Sequence, residues 1–177
     1  MTTLLRAWTA VDAPALVDAV ASTPDLVTQL PVEELASPDD ARAFIARSLH
    51  SGSAQRVWVI VDEGVPVGSV ALTHIDRRHD TAWVSYWLAS AARGRGLATR
   101  ALAAASDWAF ADAGLFRLEL GHRVNNPASC RVATRAGFAR EGLERAKLRY
   151  GEERFDVELH ARLATDPTPD VAPLPRA

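Results

Sequence analysis

The stretch from Trp83 to Leu102 joins a strand pattern to a helix pattern through a turn that contains two glycines. An apolar run rich in aromatic residues ends near Leu88, the turn holds Gly94 and Gly96, and an alanine-rich run follows directly. Glycine lets a backbone approach a ligand closely, and the N–H groups at a helix start point toward whatever lies over it. The stretch therefore predicts a strand–turn–helix unit with an anion site above the helix start.

Two arginines, Arg93 and Arg95, flank the first of these glycines. The guanidinium group is planar, keeps its charge, and can donate two parallel hydrogen bonds to the oxygens of a phosphate. We therefore expect both side chains to pair with a diphosphate that the turn holds. This chemistry indicates a phosphate-bearing ligand, such as a nucleotide-type cofactor.

A second motif lies downstream, where Asn126-Pro-Ala-Ser129 opens a helix pattern that closes at Gly137. An asparagine followed by a proline is a common helix start, because the side chain of asparagine accepts from the free N–H groups of the first turn. Ser129 then falls in that first turn, where a hydroxyl is often only a capping or solvated group. Taken alone, the motif predicts a helix from Asn126 to Ala136 and leaves the role of Ser129 open.

Taken together, the two motifs resemble the cofactor segments of the Gcn5-related N-acetyltransferases, the GNAT superfamily. The run Arg93-Gly-Arg-Gly-Leu-Ala98 is similar to the loop that binds the pyrophosphate of acyl-CoA in that family. The run from Asn126 to Gly142 is similar to the second cofactor segment, particularly in the RimJ/RimL-like branch that acetylates the N-termini of ribosomal proteins. The resemblance extends over residues 4–163, which is nearly the whole chain.

This resemblance implies an α/β (α+β) GNAT fold with a mixed, mostly antiparallel central sheet, one splayed parallel strand pair and helices on both faces. It implies acetyl-CoA as the cofactor. The pantetheine arm would lie between the strand that ends at Leu88 and the strand that starts near Phe116, and would pair with main chain there. The cofactor-binding residues that the resemblance implies are Tyr86, Trp87, Leu88, Arg93, Gly94, Arg95, Gly96, Leu97, Ala98, Thr99, Asn126 and Ser129.

The resemblance also bears on the catalytic groups, because the sequence departs from the family at two positions. Ala133 stands where many members have an acid tyrosine, and Lys147 stands where the ribosomal-protein branch places a glutamate base. Ser129 is then the implied proton donor to the departing thiol. Glu119 matches a strand glutamate that serves as base in a neighbouring branch, so it is the implied base, directly or through water. Without the resemblance, a half-exposed strand glutamate is usually only solvated.

The implied reaction is attack of a free primary amine on the thioester of acetyl-CoA. An α-amine with a pKa near 7.7 to 8 is about 10% neutral at pH 7, so its deprotonation costs only about 1 kcal/mol, whereas a lysine side chain costs roughly 4.6 kcal/mol. We therefore predict an acetyl-CoA-dependent N-acetyltransferase whose acceptor is a peptide N-terminus or a small amine.

Three alternatives stay open at this point. The chain could be a noncatalytic acyl-CoA-binding module, because it lacks the tyrosine and the glutamate of its relatives. It could acetylate an aminoglycoside, a polyamine or another small-molecule amine. A dinucleotide-dependent redox enzyme would use Gly94 and Gly96 as a phosphate turn and Glu119 as the ribose acid, but Thr99 stands where the third glycine of that turn would be.

Charge and residue usage exclude other classes. The formal net charge of −2 gives no overall attraction to nucleic acid or to an anionic membrane. Cys130 is the single cysteine, which excludes an internal disulfide and a thiolate cluster. The five histidines have no metal-ligand spacing, so we expect no metal site. With no secretory or membrane-spanning pattern, we expect a cytoplasmic protein, and homodimer formation is left open.

One domain is expected over residues 1–165, followed by a proline-rich tail, 166–177, whose composition predicts disorder. Within the domain, hairpin and helix-start signals predict an antiparallel meander, a strand–helix–strand crossover and a final hairpin. The predicted strands are 4–8, 56–62, 65–75, 81–88, 116–124, 147–150 and 154–163. The predicted helices cover residues 12–21, 37–51, 99–113 and 126–136, and residues 23–31 are expected to form a loop.

Overall fold

A seven-stranded mixed sheet forms the centre of the molecule. The structure is a computed structural model that describes residues 3–177. The strands are β1 Thr3–Arg6, β2 Arg56–Asp62, β3 Val65–Asp76, β4 Thr81–Leu88, β5 Arg117–Arg123, β6 Ala139–Tyr150 and β7 Glu153–Leu163. The α-helices are α1 Ala13–Ala21, α2 Pro38–Ser48, α3 Leu97–Asp107 and α4 Pro127–Arg135. The strand order is β1-β2-β3-β4-β5-β7-β6, and β4 and β5 are the parallel neighbours.

Helices cover both faces of this sheet. Successive side chains of a strand point to opposite faces, and apolar residues at successive positions of β2 need a helix to cover them on each face. On β2, Val57 and Val59 belong to a core formed with α1 and α2, whereas Trp58 and Ile60 belong to a core formed with α3 and α4. This arrangement confirms the predicted fold class, a mostly antiparallel sheet with helices on both faces. Within residues 3–177, no helix is both long and apolar enough to cross a membrane.

The parallel strands β4 and β5 pair over a short distance only. Their register runs from Thr81 opposite Arg117 to Trp83 opposite Glu119 and then stops. Beyond that point β4 continues to Leu88 beside β3, and β5 continues beside β7. The two strands therefore separate toward their C-terminal ends, as expected, and their facing edges carry backbone groups that no strand satisfies.

The starts of α3 and α4 follow from their local sequences. Gly94 and Gly96 have φ angles of 78° and 76°, a left-handed region that residues with a Cβ rarely adopt. Gly96 is the N-cap of α3, so this helix begins at Leu97, two residues before its predicted start. At α4, the side-chain oxygen of Asn126 accepts from the N–H of Ser129 at 3.1 Å, which is the predicted cap.

Several elements differ in extent from their predictions, and three of these differences are large. The expected loop 23–31 contains a 3-10 turn, Pro24–Thr28. Its Leu26 is fully buried in the core formed with α1 and α2. The last turn of the predicted helix 99–113 is a π-helical turn, Trp108–Asp112, after α3 ends. β6 is much longer than predicted, because it is an edge strand whose mostly exposed residues show no regular apolar alternation.

The proline-rich tail lies against the domain, which differs from the disorder expected of residues 166–177. Leu174 is 2% exposed and packs in the core formed with α3. The N–H of Leu5 donates to the carbonyl of Pro175 at 2.8 Å, and the N–H of Ala177 donates back to Leu5 at 2.9 Å. The tail thus pairs with the outer edge of β1. The buried side chain of Leu174 and the open edge of β1 hold the tail, and neither contact can be predicted from the composition of the tail.

Candidate active site

The gap between the separating ends of β4 and β5 opens into a cavity of about 710 Å³. Its wall combines the turn before α3, the first turns of α4 and the end of β4 with parts of α2, β6 and the loop after α1. Among the predicted cofactor-binding residues, all except Arg95 and Leu97 line this cavity. The sequence motifs that lie far apart in the chain therefore meet at one site.

The start of α3 offers backbone donors to the cavity. The first N–H groups of a helix have no acceptor within the helix. The first bond here runs from the N–H of Arg100 to the carbonyl of Gly96 at 3.1 Å. Gly96 provides no side-chain cap, and no atom lies within 4 Å of where a Cβ on Gly94 or Gly96 would stand. The turn and the helix start therefore form an open anion site, which the helix dipole strengthens.

Arg93 and Arg95 point in different directions, although both were expected to face a diphosphate. Arg93 lines the cavity, where its guanidinium pairs with Asp25 at 3.0 Å. Arg95 is not part of the cavity wall and donates to Asp62 at the end of β2, at 2.6 Å. Hydrogen bonds from Thr3 and Arg95 hold the pKa of Asp62 below its usual value. Arg93 is thus the one of the two that is placed to meet a phosphate.

Ser129 lies on the cavity wall in contact with Tyr86 of β4. The two hydroxyl oxygens are 2.7 Å apart, and the phenol oxygen is also 3.2 Å from the carbonyl of Ser129. Burial raises the pKa of Tyr86 to about 12, although the bond to Ser129 acts in the opposite direction. The phenol therefore stays protonated at neutral pH and has one hydrogen to donate, to the hydroxyl or to the carbonyl of Ser129. Donation to the hydroxyl leaves the serine hydrogen free to face the cavity. The sequence had indicated Tyr86 only for its backbone.

Glu119, the expected base, lies outside the cavity wall. Its carboxylate accepts from Nε of Arg117 at 2.8 Å, and its side chain is 42% exposed. Gly121, two residues further along β5, lines the cavity. An exchange of protons between Glu119 and an amine in the cavity would therefore require an intervening water.

Acidic groups are scarce on the wall itself. Within the described residues, Asp25 is the only carboxylate that lines the cavity, and it is paired with Arg93. Lys147, at the position where the resemblance implies a glutamate base, pairs with Glu144 at 2.7 Å. Ala133, at the position where it implies an acid tyrosine, is fully buried. The wall therefore offers few groups that could take a proton from an acceptor.

Other parts of the cavity wall are formed by segments that are distant in sequence. The phenol oxygen of Tyr150 on β6 lies 3.5 Å from the carbonyl of Thr28. The guanidinium of Arg123 stacks over the ring of Tyr150, 5.3 Å from its centroid. Phe44 of α2 adds an apolar surface that sequence reasoning missed. Its apolar period shows that Phe44 is buried, but not which elements it meets.

Comparison with known proteins decides the family. The model of the acetyltransferase (GNAT) domain matches residues 3–139. The chain belongs to the GNAT acetyltransferase family. It is 30% identical over 129 residues to the ribosomal-protein-serine acetyltransferase of Escherichia coli K12, which is 72% of this chain and 72% of that protein.

Solved structures of GNAT proteins share the fold. RimJ of Mycobacterium smegmatis in complex with CoA-disulfide has a TM-score of 0.82 at 26% identity, over 92% of this chain and 82% of that chain. RimL, described as a ribosomal L7/L12 alpha-N-protein acetyltransferase in complex with coenzyme A, has a TM-score of 0.83 at 24% identity, over 92% of this chain and 94% of that chain.

This GNAT protein is an acetyl-CoA-dependent N-acetyltransferase that acts on an amine. Its residues fit the parts of the cofactor. The anion site at the start of α3 suits the diphosphate, and the open backbone edge of β4 suits the amides of the pantetheine arm. The family and the largely antiparallel sheet exclude the redox alternative, which requires successive parallel strands.

Proposed function

We propose that this GNAT acetyltransferase acts on the N-terminal α-amine of a peptide or protein. The composition of the cavity wall carries this proposal. Within residues 3–177, its one carboxylate, on Asp25, is already paired with Arg93. Its one imidazole, on His122, turns Nε2 toward His160 at 3.1 Å. The wall therefore presents no free carboxylate or imidazole to a charged amine.

An acceptor that is already partly neutral needs little help from such a wall. Releasing the proton of an α-amine at pH 7 costs about 1 kcal/mol, but releasing that of a lysine side chain costs roughly 4.6 kcal/mol. Water can accept the first proton, whereas the second normally needs a positioned base. The Escherichia coli relative is a ribosomal-protein-serine acetyltransferase, which also supports a protein acceptor.

The same wall argues against polycationic acceptors. Polyamines and aminoglycosides carry several ammonium groups, and sites that bind them present complementary negative charge. Here Arg123, Arg131 and Arg135 line the cavity beside the single paired carboxylate. A peptide N-terminus places one positive charge in the site and avoids most of this repulsion.

Ser129 and Tyr86 are proposed to assist the leaving thiol. With Tyr86 donating to Ser129 across 2.7 Å, the serine hydroxyl is free to donate to the sulfur as the amine displaces it. A thiol with a pKa near 8.5 needs at most about 2 kcal/mol of such assistance at neutral pH. The protein otherwise works by holding the two reactants in line.

Release of thiol from acetyl-CoA, measured against a panel of amines, tests the acceptor class. We expect turnover with peptides that have a free N-terminus and none with the same peptides when the N-terminus is blocked, even if they contain lysine. The rate should level off above an apparent pKa near 8, because the α-amine itself is the titrating group. Spermidine, an aminoglycoside and free amino acids complete the panel.

Two outcomes would contradict the proposal. A rate that still climbs beyond about pH 10, with blocked lysine peptides preferred, would mean a side-chain amine acceptor. Binding of CoA without thiol release from any amine would favour the noncatalytic module.

Homodimer formation and a cytoplasmic location stay predictions from the sequence.

A further inference from the structure

Four potential metal ligands converge beside the cavity from elements that are distant in sequence. His122 lies on β5, Cys130 on α4, and Glu158 and His160 on β7. One ligand atom from each lies within 4.8 Å of the others. Both imidazoles are buried, with 6% and 2% of their residues exposed. We call these four residues the His–Cys–Glu cluster.

The two histidine rings are oriented for a shared cation. Nδ1 of His122 lies 3.0 Å from the carbonyl of Arg123, and Nδ1 of His160 lies 3.3 Å from the carbonyl of Phe138. A carbonyl only accepts, so both contacts favour a hydrogen on Nδ1, and a neutral ring with that hydrogen has its lone pair on Nε2. These two Nε2 atoms are 3.1 Å apart. Two lone pairs at this distance repel each other, so either a metal ion lies between them or Nε2 of His160 carries a hydrogen that Nε2 of His122 and Oε1 of Glu158 accept.

The remaining two ligands face the same point. Oε1 of Glu158 lies 2.9 Å from Nε2 of His160 and 3.6 Å from Nε2 of His122. Sγ of Cys130 lies 3.6 Å from the same oxygen. The other carboxylate oxygen pairs with Nε of Arg140 at 2.6 Å, so Glu158 is held in this orientation. Two nitrogens, one sulfur and one oxygen therefore lie within 4.8 Å of one another, close enough to bind one metal ion.

We propose that the His–Cys–Glu cluster binds one zinc ion. Zinc prefers four ligands drawn from imidazole, thiolate and carboxylate, and ligating histidines usually donate their other N–H to a carbonyl. Both features are present here. Because four protein ligands fill a tetrahedral shell, the ion has no open position, and its role is to join β5, α4 and β7 next to the active site.

This inference departs from the expectation that the chain has no metal site. That expectation came from the spacing of the histidines along the chain, and spacing reveals a site only when the ligands lie on one local segment. The rival occupant of the cluster is a proton, since one ring protonated at Nε2 would donate to the other. Metal binding and ring protonation predict different results when metal is supplied.

Metal titration of the tag-free full chain tests the site. Apoprotein prepared with a chelator should take up one zinc ion per chain in competition with a chromophoric chelator, and its melting temperature should rise. Cobalt(II) in place of zinc should show the intense visible bands of a tetrahedral site and a thiolate charge-transfer band. Cys130→Ser should remove the charge-transfer band.

Matched variants separate the cluster from other histidines. His160→Gln should abolish stoichiometric zinc uptake and the rise in melting temperature, whereas His79→Gln, at an exposed position, should change neither. Arg140→Ala leaves all four ligands in place and should weaken zinc binding by about 10- to 100-fold, because it removes the outer partner of Glu158. This variant keeps the test informative if His160→Gln does not fold.

Two measurements, zinc uptake and the cobalt(II) spectrum, could contradict the zinc proposal. Wild-type protein that takes up no zinc, or that takes it up equally well as His160→Gln, would assign the cluster to a shared proton. Octahedral cobalt without a thiolate band would mean that the ion lies elsewhere. Neither result bears on acetyl transfer, which is measured separately.

Discussion

At the scale of single residues, Arg93 and Arg95 show that the same side chain can serve two purposes within one turn. Arg93 lies on the cavity wall, and its present partner, Asp25, is an exposed carboxylate that a phosphate can replace. Arg95 ties the turn to Asp62, whose side chain is only 9% exposed. Arg93 is thus placed for the ligand, although its Nε also donates to the carbonyl of Leu88 at 3.0 Å, and Arg95 holds the loop.

Alanine substitution should separate these roles. We expect Arg93→Ala to weaken CoA binding by more than about 2 kcal/mol, the scale of a charge-assisted hydrogen bond, and to leave the fold intact. Arg95→Ala should change CoA affinity little but lower the free energy of unfolding by about 1 to 3 kcal/mol. Calorimetry and urea unfolding measure the two effects. An equal loss of CoA affinity in both variants would return Arg95 to the ligand site.

The proton-moving residues can be tested in the same way. Ser129→Ala should lower kcat by up to about 30-fold with little change in CoA affinity, because the available assistance is at most about 2 kcal/mol. If Glu119 takes the amine proton through water, Glu119→Gln should slow the reaction most at low pH, where the amine is charged. A pH–rate profile of Glu119→Gln that matches the wild type would remove Glu119 from the mechanism.

At the scale of elements, a segment was predictable where its own sequence carried the period or the cap. β2 and β4 have the predicted bounds, because their apolar runs are bounded by polar turns. β6 gave no such signal, since its register is imposed by β7 and its side chains are mostly solvated. The composition of the tail predicted disorder. Its order depends on contacts with Leu5 and the core, which are distant in sequence and have no local signal.

The same distinction applies to the active site, where features set by the local backbone were predictable and contacts between elements were not. The glycines and the asparagine cap could be identified because a backbone conformation selects those residue types. The directions of Arg93 and Arg95 could not, since each depends on a carboxylate from another element. The contact between Tyr86 and Ser129 likewise joins β4 to α4 and has no local signal.

At the scale of the whole molecule, Asp12 connects the start of α1 to β1 and makes stability depend on pH. It is 3% exposed and accepts two hydrogen bonds of 2.7 Å from Arg6, with another of 2.9 Å from the N–H of Thr9. Burial raises the pKa of Asp12, but these bonds outweigh it and hold the pKa below its usual value. The stabilisation is therefore present above the unfolded pKa near 4 and is lost as pH falls through the folded value.

We expect the free energy of unfolding to fall as the pH drops below about 5. Asp12→Asn should cost about 1 to 3 kcal/mol at pH 7, because it removes the charge from a buried carboxylate that accepts from the partly exposed Arg6, and the variant should depend less on pH in the acid range. Asp39→Asn is the control. Asp39 is 91% exposed, so its pair with Arg42 should contribute only about 0 to 1 kcal/mol. Urea unfolding at neutral and acid pH measures both, and identical acid slopes for wild type and Asp12→Asn would contradict the assignment.

The short seam between β4 and β5 has a mechanical consequence. The cavity in this gap has walls from both faces of the sheet, with Phe44 of α2 on one face and Ser129 of α4 on the other. A cofactor held by the starts of α3 and α4 would leave the α2 face of the gap to the acceptor. An extended cofactor arm that pairs with β4 would connect the two parts of the sheet on either side of the gap. The molecule would then be more rigid with the cofactor site occupied than with it empty.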